Sequence, residues 1–339
     1  MTEKQQKGTE VIAAESAPER VRLDMRDRRI LYELDMHGRA TRARIGKLVG
    51  LSSDVVHYRV NRMEQQGVID GYYVMTDLGK LGLWQMKICL QLRKYNKKLE
   101  EELLHFLETK PYVRRVASCR GAFDLLITIG SSDLRQLNAC KEELYLKLDQ
   151  YISKEAMSII LEIHGYRRCY LHGENVSKED YIPVLDVIEK KDLDQMDWKI
   201  LSELSNDGKA SIVDIAHKIK STEKTVAQRI KKMEEKKVIL GCRVAINTQL
   251  LGIAVYKLFV HTHDITHKRE LEFYEFCRQN PNITHLSKVL GEWDYEVEFE
   301  FFDDEDFYRL VSDMRDSFSD IINQIEMVRI VKQHQSSFY

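Results

Sequence analysis

No apolar run in this 339-residue chain approaches the roughly 18 residues that a membrane-spanning helix needs. The opening stretch MTEKQQKGTEVIAAESAPER lacks the uninterrupted apolar core of a secretory signal, so residues 1–22 are expected to be a disordered lead-in. The six cysteines (Cys89, Cys119, Cys140, Cys169, Cys242, Cys277) are scattered without a CxxC pair. That argues against a disulfide or zinc framework and for reduced thiols in a cytoplasm. A phosphate loop, a nucleophile with its base and a general-acid dyad are all missing, so no catalytic residue and no cofactor are expected. Charge of one sign is also missing overall, the net value being −2, but the balance is uneven. Residues 244–339 carry 9 lysines and arginines against 17 acids, while residues 193–243 carry 11 against 8 and residues 23–73 carry 9 against 7. Whole-chain charge therefore says little about partners, because an acidic end masks modest basic patches elsewhere. With 43% hydrophobic and 31% charged residues, the chain has the composition of two or three soluble globular domains.

What the chain does have is itself, twice. At an offset of 170 residues LDMRDRRILYEL (Leu23–Leu34) lies over LDQMDWKILSEL (Leu193–Leu204), and Gly38-Arg39-Ala40 over Gly208-Lys209-Ala210. RVNRMEQQGVIDG (Arg59–Gly71) lies over RIKKMEEKKVILG (Arg229–Gly241), and GAFD (Gly121–Asp124) over GEWD (Gly291–Asp294). No gap is needed. A period this long marks duplicated whole domains, since solenoid units run about 20–50 residues. Residues 173–192 have no place in the repeat and are expected as a linker.

Within each unit the hydrophobic period changes. Ile30, Leu31 and Leu34, then Ile45, Leu48 and Val49, then Val56, Val60 and Met63 follow helical spacing, with Gly50 in a turn and Ser52 and Ser53 as N-cap candidates. Three short helices and the Val68–Gly71 segment predict a helix-turn-helix with a β wing. Downstream, copy two reads as strand (VYKLFVHTH), helix (KRELEFYEFCRQN), strand (NITHLSKVL), strand (YEVEFEFF), helix (DEDFYRLVSDMRDSF) and strand (IINQIEMVRIV). That order, βαββαβ, is ferredoxin-like. The expected fold class is α+β, with winged helix-turn-helix domains at 23–73 and 193–243 and ferredoxin-like domains at 74–172 and 244–339.

These residues, in the order LDxxDxxILxxL, GRA, SxxxVxxRVxxMExxGVIxGY and then βαββαβ with a G-x-aromatic-Asp turn, resemble the Lrp/AsnC family of transcription regulators. The resemblance covers nearly all of 23–165 and again 193–332. It implies binding of double-stranded DNA by the winged helices, and a regulatory domain that self-associates and takes an amino acid or similar small metabolite. Family members ordinarily carry one unit per chain, so this one resembles a fused pseudo-dimer in a prokaryotic cytoplasm.

On that footing the polar face of the 53–65 helix, Ser52, Ser53, His57, Tyr58, Asn61 and Arg62 with Arg59 at its flank, is the candidate DNA face, joined by Arg42 and Arg44. Copy two offers Thr222, Lys224, Thr225, Gln228, Arg229, Lys231 and Lys232, a more basic set suited to phosphates. Lys220 and Lys237 stand where copy one has Gly50 and Gly67, and Ser221 stands for Leu51, which is expected to distort that helix's presentation. Because the two faces differ, an operator read by one chain is expected to be non-palindromic.

Gly121, Phe123, Asp124 and Gly291, Trp293, Asp294 have a local reading as hairpin turns, where glycine adopts φ > 0 and aspartate accepts backbone N–H groups. The family resemblance adds an effector-binding role. Glu296, Glu298 and Glu300 share one strand face at about 6.5–7 Å spacing, opposite Lys257, His261 and His263 on the neighbouring strand. A metal reading of that cluster is weaker than pairing between unlike halves, because the copy-one equivalents are Leu126, Thr128 and Gly130. Two alternatives stand beside the regulator. One is an enzyme similar to siroheme decarboxylases, which share the two-domain unit, with His164, His172, His261, His263 and His285 available. The other is an effector-independent DNA-organising protein.

Overall fold

The computed structural model describes residues 20–173 and 181–334. Most of the expected lead-in, and residues 174–180 of the expected linker, lie outside the described residues. The first copy runs α1 (Met25–Met36), α2 (Arg42–Val49), α3 (Ser53–Gln65), β1 (Ile69–Thr76), β2 (Trp84–Leu92), α4 (Lys97–Glu108), β3 (Val113–Gly121), β4 (Leu125–Ser131), α5 (Leu134–Leu148) and β5 (Ile152–Tyr166). Strand β6 (Tyr181–Leu185) follows. The second copy repeats the order as α6 (Gln195–Asn206), α7 (Ile212–Lys218), α8 (Glu223–Glu235), β7 (Ile239–Ile246), β8 (Ala254–Thr262), α9 (His267–Gln279), β9 (Ile283–Gly291), β10 (Tyr295–Phe301), α10 (Asp304–Ser317) and β11 (Ile322–His334).

The repeated LDxxD motif is a helix start. The Asp24 carboxylate accepts from Asp27 N at 2.8 Å and the Asp27 carboxylate accepts back from Asp24 N at 3.3 Å, a capping box that opens α1. Asp194 and Asp197 do the same for α6 at 3.0 and 3.2 Å. Ile30, Leu31 and Leu34 with Ile45, Val56, Val60 and Met63 fill the small three-helix core. Between α2 and α3 the chain reverses through Gly50 at φ 69°, and the second copy makes the same turn with Lys220 at φ 55°. Lys237 at φ 54° likewise replaces Gly67 at 71°. The expected distortion of the second reading helix is therefore absent. Both helices have 13 residues, and the lysines take up left-handed strain of about 1–2 kcal/mol each.

The βαββαβ halves do not form two separate sheets. In each half the strand order is 4-1-3-2, and the halves join edge to edge through β3–β11 and β9–β5. The resulting order β2-β4-β3-β11-β8-β10-β9-β5, with β5 returning to β2, closes an antiparallel ring of eight strands. Closure depends on the length of the last strand of each half. β5, 15 residues long, pairs first with β2 of its own half and then with β9 of the other. β11 pairs first with β8 and then with β3. The ring closes on its own strands, and the one strand outside it, β6, lies along the end of β5.

Alternation along the strands divides their residues between one inner core and two outer ones. Ile88, Leu90, Leu125, Ile127 and Ile129 face α4 and α5, and Tyr295, Val297, Phe299 and Phe301 face α9 and α10. Residues of the opposite set point inward, where Phe123, Phe259 and Trp293 pack with ring centroids 4.3–6.1 Å apart. Each such pair adds about 0.5–1.5 kcal/mol beyond its buried area.

The expected linker is not a bare connector. β6 pairs antiparallel with the end of β5, and residues 187–191 run along the β1–β2 connection, where Glu189 N donates to Gly79 O at 3.1 Å. A Cβ on Gly79 would come within 2.1 Å of Val187 O, so only glycine admits this segment.

Candidate nucleic-acid interface and the joints between the halves

Helices α3 and α8 are held alike and present different chemistry. Ser52 caps α3, its hydroxyl accepting from Val55 N at 3.3 Å, and Thr222 caps α8 through Thr225 N at 3.2 Å. On α3 the exposed residues include Ser53, Val55, His57 and Tyr58 (67% exposed), with Asp54, Glu64 and Gln65 also exposed and Asn61 bonded to His57 at 3.0 Å across one turn. On α8 they include Lys224, Gln228, Lys231 and Lys232, beside half-buried Thr225, with Glu223, Glu234 and Glu235 also exposed at its two ends. Arg44 is exposed ahead of α3, while Arg42 lies 3.7 Å from Glu64. Val55 was passed over in the sequence as an apolar residue beside Val56, although it lies off the Val56, Val60, Met63 stripe and is exposed.

Three arginines leave the candidate set. Arg59 Nη1 donates to Asp24 and Asp27, both at 2.8 Å, and Arg62 Nη2 reaches Asp27 at 2.5 Å. Arg229 Nη1 bonds Asp194 at 2.6 Å and Asp197 at 2.8 Å. These guanidiniums brace the capping boxes from the reading helix, and the aspartates hold the Arg59 and Arg229 charges in place. The repeat keeps the Arg59 and Arg229 pair for architecture, while Lys232 stands in the place of Arg62.

The repeated glycines mark where the halves meet. β1 and β7 pair antiparallel, so the two winged helices are joined wing to wing. Gly38 N donates to Cys242 O and Gly208 N to Tyr72 O, each at 2.8 Å. A Cβ on Gly38 would stand 2.9 Å from Cys242 O, and one on Gly208 2.7 Å from the Tyr72 carbonyl carbon. The G-x-aromatic-Asp turns are the second pair of joints. Ala122 N donates to Met327 O at 3.1 Å and Glu292 N to Met157 O at 3.2 Å, each turn capping the last strand of the other half. A Cβ on Gly121 would meet Met327 O at 2.5 Å, and one on Gly291 would meet Met157 O at 2.2 Å. Close approach, shared by both copies, explains these glycines better than φ, which is positive only at Gly121 (127°).

The turn residues expected to bind an effector also have a structural role in this geometry. Phe123 and Trp293 are buried in the inner core. The Asp124 carboxylate accepts from Leu92 N at 2.8 Å, and that of Asp294 from Thr262 N at 2.6 Å and Thr262 Oγ1 at 2.9 Å. All six residues hold the turns against neighbouring strands.

The glutamates of β10 pair with the other half and with their neighbours. Glu296 is buried inside the ring against Lys87 of the first copy, receives Trp293 Nε1 at 3.2 Å, and lies 3.5 Å from Lys257. Burial alone would raise its pKa, and the Lys87 and Lys257 ammonium groups reverse that and hold it low. Glu298 binds Lys257 at 3.1 Å and His285 at 3.3 Å. Burial pushes the His285 pKa down, which leaves that ring neutral near pH 7. Among the described residues no group of three His, Cys, Asp or Glu is placed to hold a metal.

Glu300 belongs to a buried chain that sequence reasoning missed. Asp35, fully buried at the end of α1, accepts from Arg243 Nε at 3.0 Å, Arg243 Nη2 at 2.5 Å, Arg168 Nη1 at 2.7 Å and Arg168 N at 3.0 Å. Arg168 continues to Glu300 at 2.8 and 3.1 Å, and Tyr170 OH donates to Glu300 at 2.5 Å. One helix-turn-helix, the wing of the other and the strand ring are thus tied by one ionic path. Its equivalents 170 residues away are Ser205 for Asp35, Tyr73 for Arg243 and Gly130 for Glu300, so the tie exists on one side only.

Comparison with known proteins fits this layout. Residues 23–70 match the winged helix-turn-helix DNA-binding domain and residues 193–234 the AsnC-type helix-turn-helix domain. A stretch of 140 residues, 41% of this chain, is 33% identical to the HTH-type transcriptional regulator Rv2324 of Mycobacterium tuberculosis and covers 93% of it. The chain belongs to the Lrp/AsnC family. LrpA of Bacillus subtilis, also an HTH-type transcriptional regulator, is 28% identical over 123 residues, 36% of this chain and 89% of that one. Each relative therefore corresponds to one unit of this Lrp/AsnC protein, which carries two. Its whole length is similar in fold to the crystal structure of the siroheme decarboxylase NirDL, with a TM-score of 0.58 over 93% of this chain and 95% of that one. At 11% identity that likeness shows the architecture alone.

Proposed function

We propose that this protein is a DNA-binding transcription regulator in which one chain supplies a complete, asymmetric reading pair. One observation carries the proposal: two winged helices are locked wing to wing within the chain while their reading faces differ in chemistry. Helix α3 offers apolar and aromatic groups (Val55, Tyr58) that suit a thymine methyl, beside the amide and imidazole of Asn61 and His57. Helix α8 offers Gln228 for adenine and Lys224, Lys231 and Lys232 for phosphates or guanine. In a helix-turn-helix pair such faces reach half-sites about one helical turn, 34–36 Å, apart. The family also brings a small-metabolite effector, an amino acid or similar molecule. Phe123 and Trp293 are buried in the inner core and Asp124 and Asp294 hold backbone N–H groups, so these turns offer an effector chiefly the exposed backbone of Gly121 and Gly291.

Native mass spectrometry of the complex with a short operator tests the reading. One chain per duplex is expected, with retention that falls steeply as salt rises. A requirement for two chains before any specific complex forms would overturn it. The shared architecture with NirDL gives the tetrapyrrole-enzyme reading its one support. The histidines do not converge on one site: His164 bonds Glu162, His285 bonds Glu298, and His261 lies toward Glu326. Adding a tetrapyrrole to the protein is expected to leave the pigment's absorbance unchanged.

A further inference from the structure

The two sides of the wing-to-wing joint are related by the repeat, yet one is filled and the other is hollow. On the filled side Tyr72 donates to Glu64 at 3.1 Å, and the Lys209 ammonium lies 3.3 Å from its ring centre. On the other side Cys242 takes the place of Tyr72, Arg39 that of Lys209 and Glu234 that of Glu64. The backbone contacts are the same, as the matched Gly38–Cys242 and Gly208–Tyr72 bonds show. With a thiol where a phenol would be, an open cleft of about 280 Å³ remains, lined by Arg39, Glu234, Val74, Leu204 and Ile230, in which Arg39 donates its Nε to Gly208 O at 2.6 Å and keeps its terminal nitrogens for a ligand. Arg44 lines it where the filled side has Asp214, so its rim is more cationic than that of its counterpart.

We propose that this one-sided cavity is a binding site for a small organic carboxylate with an apolar body. The carboxylate pairs with Arg39 and Arg44, whose planar forks suit it, and the apolar body lies on Val74, Leu204 and Ile230, in the space that Tyr72 occupies on the filled side. The volume is just below the usual range for ligand sites and suits a molecule of about ten heavy atoms. The site joins the α1–α2 turn of one reading unit to the wing of the other, so occupancy fixes the placement of the two helices relative to each other. That consequence rests on the DNA-reading proposal; binding itself does not.

The test is calorimetric titration of the full chain, without DNA, with hexanoate, phenylacetate and indole-3-acetate, and with 2-phenylethanol as the uncharged control. At least one carboxylate is expected to bind with a Kd below about 10 mM, and at least about tenfold more tightly than the alcohol. Cys242→Tyr, which copies the filled side, is expected to abolish binding. Arg44→Asp, on an exposed residue that does not endanger folding, is expected to weaken it at least about tenfold. The proposal is overturned if no carboxylate binds, or if Arg44→Asp leaves the affinity unchanged. A failure here with one-chain operator binding intact would strike the cavity and spare the DNA reading.

Discussion

Replacing Asp35 by alanine removes the centre of the one-sided ionic tie. Arg243, 1% exposed, then loses both of its carboxylate bonds and keeps only Tyr166 O at 3.1 Å. Arg168 retains Glu300. Leaving one guanidinium buried without its counter-charge costs about 3–5 kcal/mol. The mirror substitution Ser205→Ala, opposite Tyr73, removes no ion pair and is expected to cost less than about 0.5 kcal/mol. Removing the charges together, as Asp35→Leu with Arg243→Leu, should recover most of the loss, because a buried pair replaced by apolar groups is often near neutral. The pH dependence has a definite sign. Burial opposes the Asp35 charge, but Arg243 and Arg168 hold its carboxyl well below the usual range. Its stabilisation is therefore complete above the unfolded value of about 3.9 and is lost only as pH falls below it. Urea unfolding of wild type and Asp35→Ala should differ by a constant amount between pH 8 and 5. A gap under about 1 kcal/mol, or one that shrinks already above pH 5, would refute the reasoning.

Two further outcomes follow from the joints and the reading faces. Gly291→Ala should open the β9–β5 seam, because its Cβ would overlap Met157 O at 2.2 Å. Hydrogen exchange should rise selectively at Ser158–Gly165, whereas Gly50→Ala, whose Cβ meets open space, should cost only about 1 kcal/mol for its φ of 69°. Lys231→Ala with Lys232→Ala should lower the salt slope of DNA binding by up to about 2 without changing base preference, and Tyr58→Ala should relax preference in one half-site alone.

Much of this was legible in the sequence because it is local. The Ser52 cap, the turn glycine at 50, the strict alternation of YEVEFEF and the βαββαβ order depend on neighbours within a few residues, and copy two's elements match their sequence-based bounds to within about three residues. What escaped depends on distance. Arg59 and Arg229 look like phosphate ligands because their aspartate partners lie 32–35 positions earlier. The ring closes because β5 and β11 outrun their own halves, and periodicity cannot say which strand a long strand joins next. The unlike strands, glutamate-lined in one half and neutral in the other, did show that the halves had diverged. Only the structure shows that Glu296 reaches Lys87, 209 residues away, and that Cys242, standing where the other side has Tyr72, leaves one joint hollow.

The central claim is that a single chain reads DNA with two unlike heads held in fixed relation. Selection of bound duplexes from a random pool, followed by footprinting of the winners, tests it most directly. The account predicts two dissimilar half-sites about 10 base pairs apart, only one of which changes its consensus in Tyr58→Ala. A short perfect palindrome recovered from the pool would contradict it.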